Sequence, residues 1–77
     1  MAQGEQIMVV DDQFGIRLLL EEVLTHYGYH VISAKSGAEA VELVAQLEPD
    51  LVLLDMNMPG LSGPETLVEV RQVRPHL

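Results

Sequence analysis

Seventy-seven residues suffice for one small domain, which at this length buries only about 60–65% of its unfolded surface. Twelve acidic residues against four basic ones give a net charge of −8, which argues against direct contact with nucleic acid, whose phosphates demand Lys and Arg. A hydrophobic fraction of 48% supports a core, the absence of cysteine excludes disulfides and thiolate metal sites, and no apolar run approaches the roughly 18 residues that span a bilayer. With no basic leader in residues 1–5, the chain reads as soluble and cytoplasmic, with no membrane partner.

In chain order, the first predicted element is a strand over 6–10, where Ile7-Met8-Val9-Val10 runs into Asp11-Asp12. A helix follows over 15–27, with Ile16, Leu20, Val23, Leu24 and Tyr27 on one stripe and Gly28 placed to stop it. His30-Val31-Ile32-Ser33-Ala34 reads as a second strand, 30–34. Ser36 and Glu39 form a capping box for a helix over 37–47, with Val41, Val44 and Leu47 as its stripe and Pro49 closing it off. Leu51-Val52-Leu53-Leu54 ends in Asp55 and gives a third strand, 51–55. Ser62 and Glu65 repeat the capping spacing before a helix over 64–74, striped by Leu67, Val70 and Val73 and ended by Pro75. The first and third strands do not alternate apolar with polar residues, which implies cover on both faces. Strands alternating with helices of this length imply an α/β fold with a parallel sheet and right-handed crossovers. No repeat, linker or low-complexity stretch interrupts it.

Asp11, Asp12 and Asp55 all lie at carboxyl ends of strands, where open parallel sheets bind ligands. If the first and third strands are neighbours, the carboxylates converge, and three like charges so close require a bound cation or protonation. Hard oxygen ligands suit Mg²⁺. A carboxylate there either holds the metal or attacks a phosphorus centre that the metal partly neutralises. Residues 56–63, Met-Asn-Met-Pro-Gly-Leu-Ser-Gly, supply a tight loop beside it. The plainer readings are a polar strand end or a helix cap for Asp11-Asp12, a polar loop opening for Asp55, and a solvated surface for most other acids. Two strand-end clusters together are far more specific than either alone.

Val9-Val10-Asp11-Asp12 and the stretch Leu51-Val52-Leu53-Leu54-Asp55-Met56-Asn57-Met58-Pro59-Gly60-Leu61-Ser62-Gly63 resemble the signature of bacterial two-component response-regulator receiver domains. Within that family, Asp11-Asp12-Gln13-Phe14-Gly15-Ile16-Arg17 and Pro49-Asp50-Leu51-Val52-Leu53-Leu54-Asp55-Met56 are most similar to the single-domain receiver of the sporulation phosphorelay. The resemblance implies a flavodoxin-like (CheY-like) doubly wound sheet with strand order 2-1-3. It implies that Asp55 takes a phosphoryl group from a phosphohistidine. Mg²⁺ would be held by Asp12, Asp55 and the backbone carbonyl of Asn57, with Asp11 acting through a metal-bound water. Met58, Pro59 and Gly60 would shape the acceptor loop. Gln13, Ile16 and Leu19 would face a histidine kinase or histidine phosphotransferase. The helical wheel adds Phe14 and Leu18 to that surface, since Leu18 lies opposite the apolar stripe with Phe14 near it.

A complete receiver has five strand–helix units, and these residues account for three. The Ser or Thr of the fourth strand and the Lys of the fifth, which contact the phosphoryl group in the family, have no counterpart; the only lysine, Lys35, follows the second strand. Transfer by this stretch alone is therefore expected to be impaired. The uncharged Leu51–Leu54 run would stand at a bare sheet edge and is expected to pair with a second copy as a two-fold dimer. Two competing functions follow. One is an interaction module that dimerises on this scaffold without phosphorylation. The other, a Mg²⁺-dependent phosphatase, calls for an aspartate where Asn57 stands.

Overall fold

A computed structural model describes residues 4–55, 60, 63–73 and 75. Its elements are β1 (Gln6–Val10), α1 (Phe14–His26), β2 (His30–Ala34), α2 (Gly37–Leu47), β3 (Leu51–Leu54) and α3 (Gly63–Val73). The six elements are those expected, in the expected order. α1 and α3 each begin and end one residue earlier than the sequence reading placed them, and β3 ends at Leu54 rather than Asp55. The Ser62 cap of α3 lies outside the described residues.

The sheet is parallel throughout, with strand order β2-β1-β3. Ile7 pairs with Val31 on one side and Leu51 on the other, and the register continues to Val10 beside Ala34 and Leu54. β1 is the central strand, so its run of apolar side chains is buried on both faces, as its lack of alternation implies. Met8 and Val10 point into the main core with Ala34, Ala40, Val44 and Val70, on the face covered by α2 and α3. Ile7 and Val9 alternate to the opposite face, where α1 packs on β1 and β2. β3 is the outer strand, and its residues are only half-buried or exposed. Its edge has no strand partner among the described residues.

The helices bury only part of the stripes their large apolar residues suggested: Val44 and Val70 are in the core and Leu20, Leu24 and Val41 are half-buried. α2 is buried along Gly37, Ala40 and Val44, with Leu47 exposed; α3 is buried along Gly63, Thr66 and Val70, with Leu67 and Val73 exposed. Small residues let α2 and α3 approach each other closely. α1 has no fully buried residue. Leu20 and Leu24 are half-buried against the sheet, whereas Ile16, Val23 and Tyr27 of its expected stripe are exposed. The cause is one-sided cover: α1 sits over β1 and β2, with no other element among the described residues beside it above β3.

Local signals held closely. The Ser36 hydroxyl accepts from the Glu39 amide at 3.1 Å, and the Glu39 carboxylate accepts from the Lys35 amide at 2.7 Å. The box thus closes one residue before the cap itself. Gly28, at φ 92°, ends α1: its own amide donates to the Thr25 carbonyl at 3.0 Å, while the Tyr29 amide reaches the Leu24 carbonyl at 3.1 Å. Gly28→Ala is expected to lower stability by about 1–2 kcal/mol, since a Cβ disfavours left-handed backbone. A urea melt monitored by circular dichroism measures it, and an unchanged midpoint would refute this account of the helix end.

Candidate metal and phosphoryl-acceptor site

The sheet ladder itself carries the acidic residues to one place. The Asp55 amide donates to the Val10 carbonyl at 3.0 Å, and the Asp11 amide donates to the Ala34 carbonyl at 3.1 Å. Both bonds extend the parallel pairing one residue beyond the strands, so each aspartate inherits the register of the strand it follows. Because β3 lies directly beside β1, Asp55 and the Asp11-Asp12 pair emerge at the same sheet end. Each of Asp11, Asp12 and Asp55 offers a carboxylate oxygen, and these atoms lie within 4.8 Å of one another. Asp11 and Asp55 are half-buried, and Asp12 is exposed.

The donor set fits a hard divalent cation. All three groups are carboxylates, the preferred ligands of Mg²⁺, and exposed Asp12 leaves room for the waters that Mg²⁺ retains. In water, two unit charges 4 Å apart repel by about 1 kcal/mol, and by several times more in partly buried surroundings. A cation between them reverses the sign of that interaction.

The turn from β1 into α1 is organised around Asp11. Its Oδ1 accepts from the Gln13 amide at 2.9 Å, and its main-chain carbonyl accepts from Arg17 Nη1 at 2.8 Å. Gln13 is the N-cap residue of α1 and makes no side-chain cap bond. Asp12 therefore does not cap the helix; the chain turns at Asp11 instead. Gln13, Phe14, Ile16, Leu18 and Leu19, expected to face a partner, are all exposed along the start of α1 next to this turn. Asn57, Met58 and Pro59 lie outside the described residues. Gly60 has φ 76°, a left-handed conformation suited to glycine.

Two residues with defined jobs went unnoticed in the sequence. Arg17 anchors the acidic turn through a main-chain carbonyl, a contact that leaves no side-chain pattern in the sequence. Asp50 secures the opposite end of the sheet. Its Oδ2 accepts from the Gln6 amide, and its own amide donates to the Gln6 carbonyl, both at 2.8 Å. That double bond sets the β1–β3 register on which the acidic cluster depends.

Beside the cluster, an open cleft of about 300 Å³ runs between α1 and β3. Its walls are Val9, Ile16, Leu20 and Leu53, and Asp11 and Asp55 stand at its polar end. On the other face a groove of about 250 Å³ lies between β3 and α3, lined by Val52, Leu54, Leu67 and Val70. Both hollows flank the outer edge of β3. No helix among the described residues is long and apolar enough to cross a membrane.

The family described as response regulator receiver domain matches residues 7–77. Sporulation initiation phosphotransferase F of Bacillus subtilis is 46% identical over 70 residues, which make up 91% of this chain and 56% of that protein. The chemotaxis protein CheY of Thermotoga maritima is 35% identical over 95% of this chain and 62% of its own length. The crystal structure of response regulator protein TrrA from Thermotoga maritima, in complex with Mg²⁺ and BeF, superposes with a TM-score of 0.87 at 42% identity. That match covers 92% of this chain and 62% of the other. The chain therefore spans a little over half the length of these proteins.

Proposed function

This chain belongs to the response regulator receiver domain family, and from that premise we propose that it accepts a phosphoryl group on Asp55 within a two-component phosphorelay. The observation that carries the proposal is the convergence of Asp11, Asp12 and Asp55 within 4.8 Å at one end of the sheet. An Asp55 carboxylate oxygen attacks the phosphorus of a phosphohistidine; the P–N bond breaks, and its electron pair leaves with the imidazole. The product is an acyl phosphate. Bound Mg²⁺ supplies charge neutralisation for the transferring group. Asp12, Asp55 and the Asn57 carbonyl would hold that ion directly and Asp11 through a bound water, while Met58, Pro59 and Gly60 would, as in the family, belong to the loop beside the acceptor. The donor is a histidine kinase or histidine phosphotransferase that docks on Gln13, Phe14, Ile16, Leu18 and Leu19. The role is that of a cytoplasmic signalling domain whose chemistry is confined to its own phosphorylation. The sporulation relative's name, a phosphotransferase, agrees with a relay position.

These residues make up the N-terminal part of one receiver domain, and on their own they are expected to take phosphate slowly. Lys35, the only lysine, is exposed just past β2, at the same carboxyl end of the parallel sheet as Asp55 but two strands across from it. Incubation with acetyl phosphate and Mg²⁺, followed by intact mass spectrometry and peptide mapping, tests the proposal. A gain of one phosphoryl group at Asp55 supports it. A chain that stays unmodified while Mg²⁺ binds would overturn it.

A second reading rests on the outer edge of β3, where uncharged Leu51 is 49% exposed and the strand is flanked by two hollows with apolar walls. In that reading the chain is an assembly module, and β3 pairs antiparallel with β3 of a second copy. Light scattering on a size-exclusion column tests it, and a folded monomer of 8.5 kDa at micromolar concentration would remove it.

A further inference from the structure

The acidic residues Asp11 and Asp12 are joined by a single peptide unit, and rotation of that unit swings their carboxylates relative to each other. Its carbonyl, that of Asp11, is held at 2.8 Å by Arg17 Nη1 in a partly buried bond. Arg17 is itself fixed from two sides. Its backbone amide makes an early bond of α1, to the Gln13 carbonyl at 3.1 Å, and its guanidinium lies 5.7 Å from the centre of the Phe14 ring. The Asp11 carboxylate is pinned separately, through Oδ1 to the Gln13 amide at 2.9 Å. Arg17 thus ties the first turns of α1 to the one peptide plane that sets how the two carboxylates face Asp55.

We propose that Arg17 is a positioning residue for the divalent-cation site, acting through the Asp11–Asp12 peptide rather than on the ion; this rests on the Mg²⁺-binding reading of the cluster. Its charge and its geometry have opposite effects on a cation, which makes the proposal separable from simple electrostatics. A guanidinium near a dication repels it, so loss of the charge alone tightens binding. Loss of the hydrogen bond frees the peptide plane and weakens binding. Lys keeps the charge and lacks the rigid fork of donors.

Mg²⁺ titrations followed by nuclear magnetic resonance of the backbone amides test this on the full chain. Arg17→Lys is expected to raise the Mg²⁺ dissociation constant on the order of tenfold, the usual effect of removing a group that orients a metal ligand. Arg17→Gln loses geometry and repulsion together and is expected to fall between that variant and the unaltered chain. Exchange of the Gln13 amide with solvent should quicken in both. If Arg17→Lys does not fold by circular dichroism, Phe14→Leu decides, since it loosens the guanidinium and is expected to weaken Mg²⁺ in the same direction by less. Unchanged binding in Arg17→Lys, or in Phe14→Leu where that variant decides, overturns the inference alone. Failure of the unaltered chain to bind Mg²⁺ saturably overturns the metal-site reading and this inference with it.

Discussion

Asp55→Asn is expected to abolish phosphoryl uptake from acetyl phosphate, with a loss on the order of 10⁴-fold or more, the scale seen when a nucleophile is removed from a site whose members act together. Asn has nearly the shape of Asp and retains the backbone amide that donates to the Val10 carbonyl. What it loses is the anionic oxygen that attacks phosphorus and one of the three charges that hold the cation. The fold should survive, because relief of repulsion within the cluster offsets any contact that the carboxylate makes. Circular dichroism provides that control. Asp12→Asn offers the contrast: it removes a metal ligand and leaves the nucleophile, so uptake should slow without disappearing. If the Asp55→Asn chain gained phosphate as fast as the unaltered one, the acceptor would lie elsewhere, and the chemical assignment of the cluster would fall.

The legible part of this molecule was its topology and the placement of its acids. Apolar runs ending in aspartate marked the first and third strands, and Gly28 and the Ser36–Glu39 pair marked helix ends, because those signals are local and each has its own backbone cause. The meeting of Asp11 with Asp55 is not local. It depends on β3 adding beside β1 rather than beside β2, and only the family resemblance supplied that order. Side-chain burial was harder to read. Apolar periodicity assigns the stripe of largest residues to the core, yet α2 and α3 bury Ala40, Gly63 and Thr66 and leave Leu47 and Leu67 exposed. Close helix approach selects small residues, and a hydropathy pattern cannot see the partner that imposes the limit. Arg17 was missed for a related reason. A lone arginine on a helix reads as solvated surface unless the acceptor it reaches, here a main-chain carbonyl six residues back, is already in view.

Leu51→Lys is expected to shift a β3-mediated dimer toward monomer by on the order of tenfold or more in dissociation constant, since each copy must carry an unpaired ammonium to an apolar junction, where burying a charge is costly. The edge is suited to pairing because all four residues of β3 are uncharged and no Pro, Lys or bulge interrupts them. Antiparallel pairing about a two-fold axis keeps the same sheet face up in both copies. The cleft beside α1 then meets its own counterpart across the junction, as does the groove beside α3. Apolar walls on both faces are thereby covered together with the strand edge. Leu51 is half-exposed in the single chain, so a lysine there keeps its ammonium in water and should disturb the monomer little. In the dimer the same lysine enters an apolar junction twice, once from each copy. Light scattering across a concentration series reads the shift, with circular dichroism confirming that the variant stays folded. A variant that remained dimeric at the concentrations where the unaltered chain does would place the contact away from β3. The exposed apolar side of α1, with Phe14, Leu18 and Leu19, would then be the next surface to substitute.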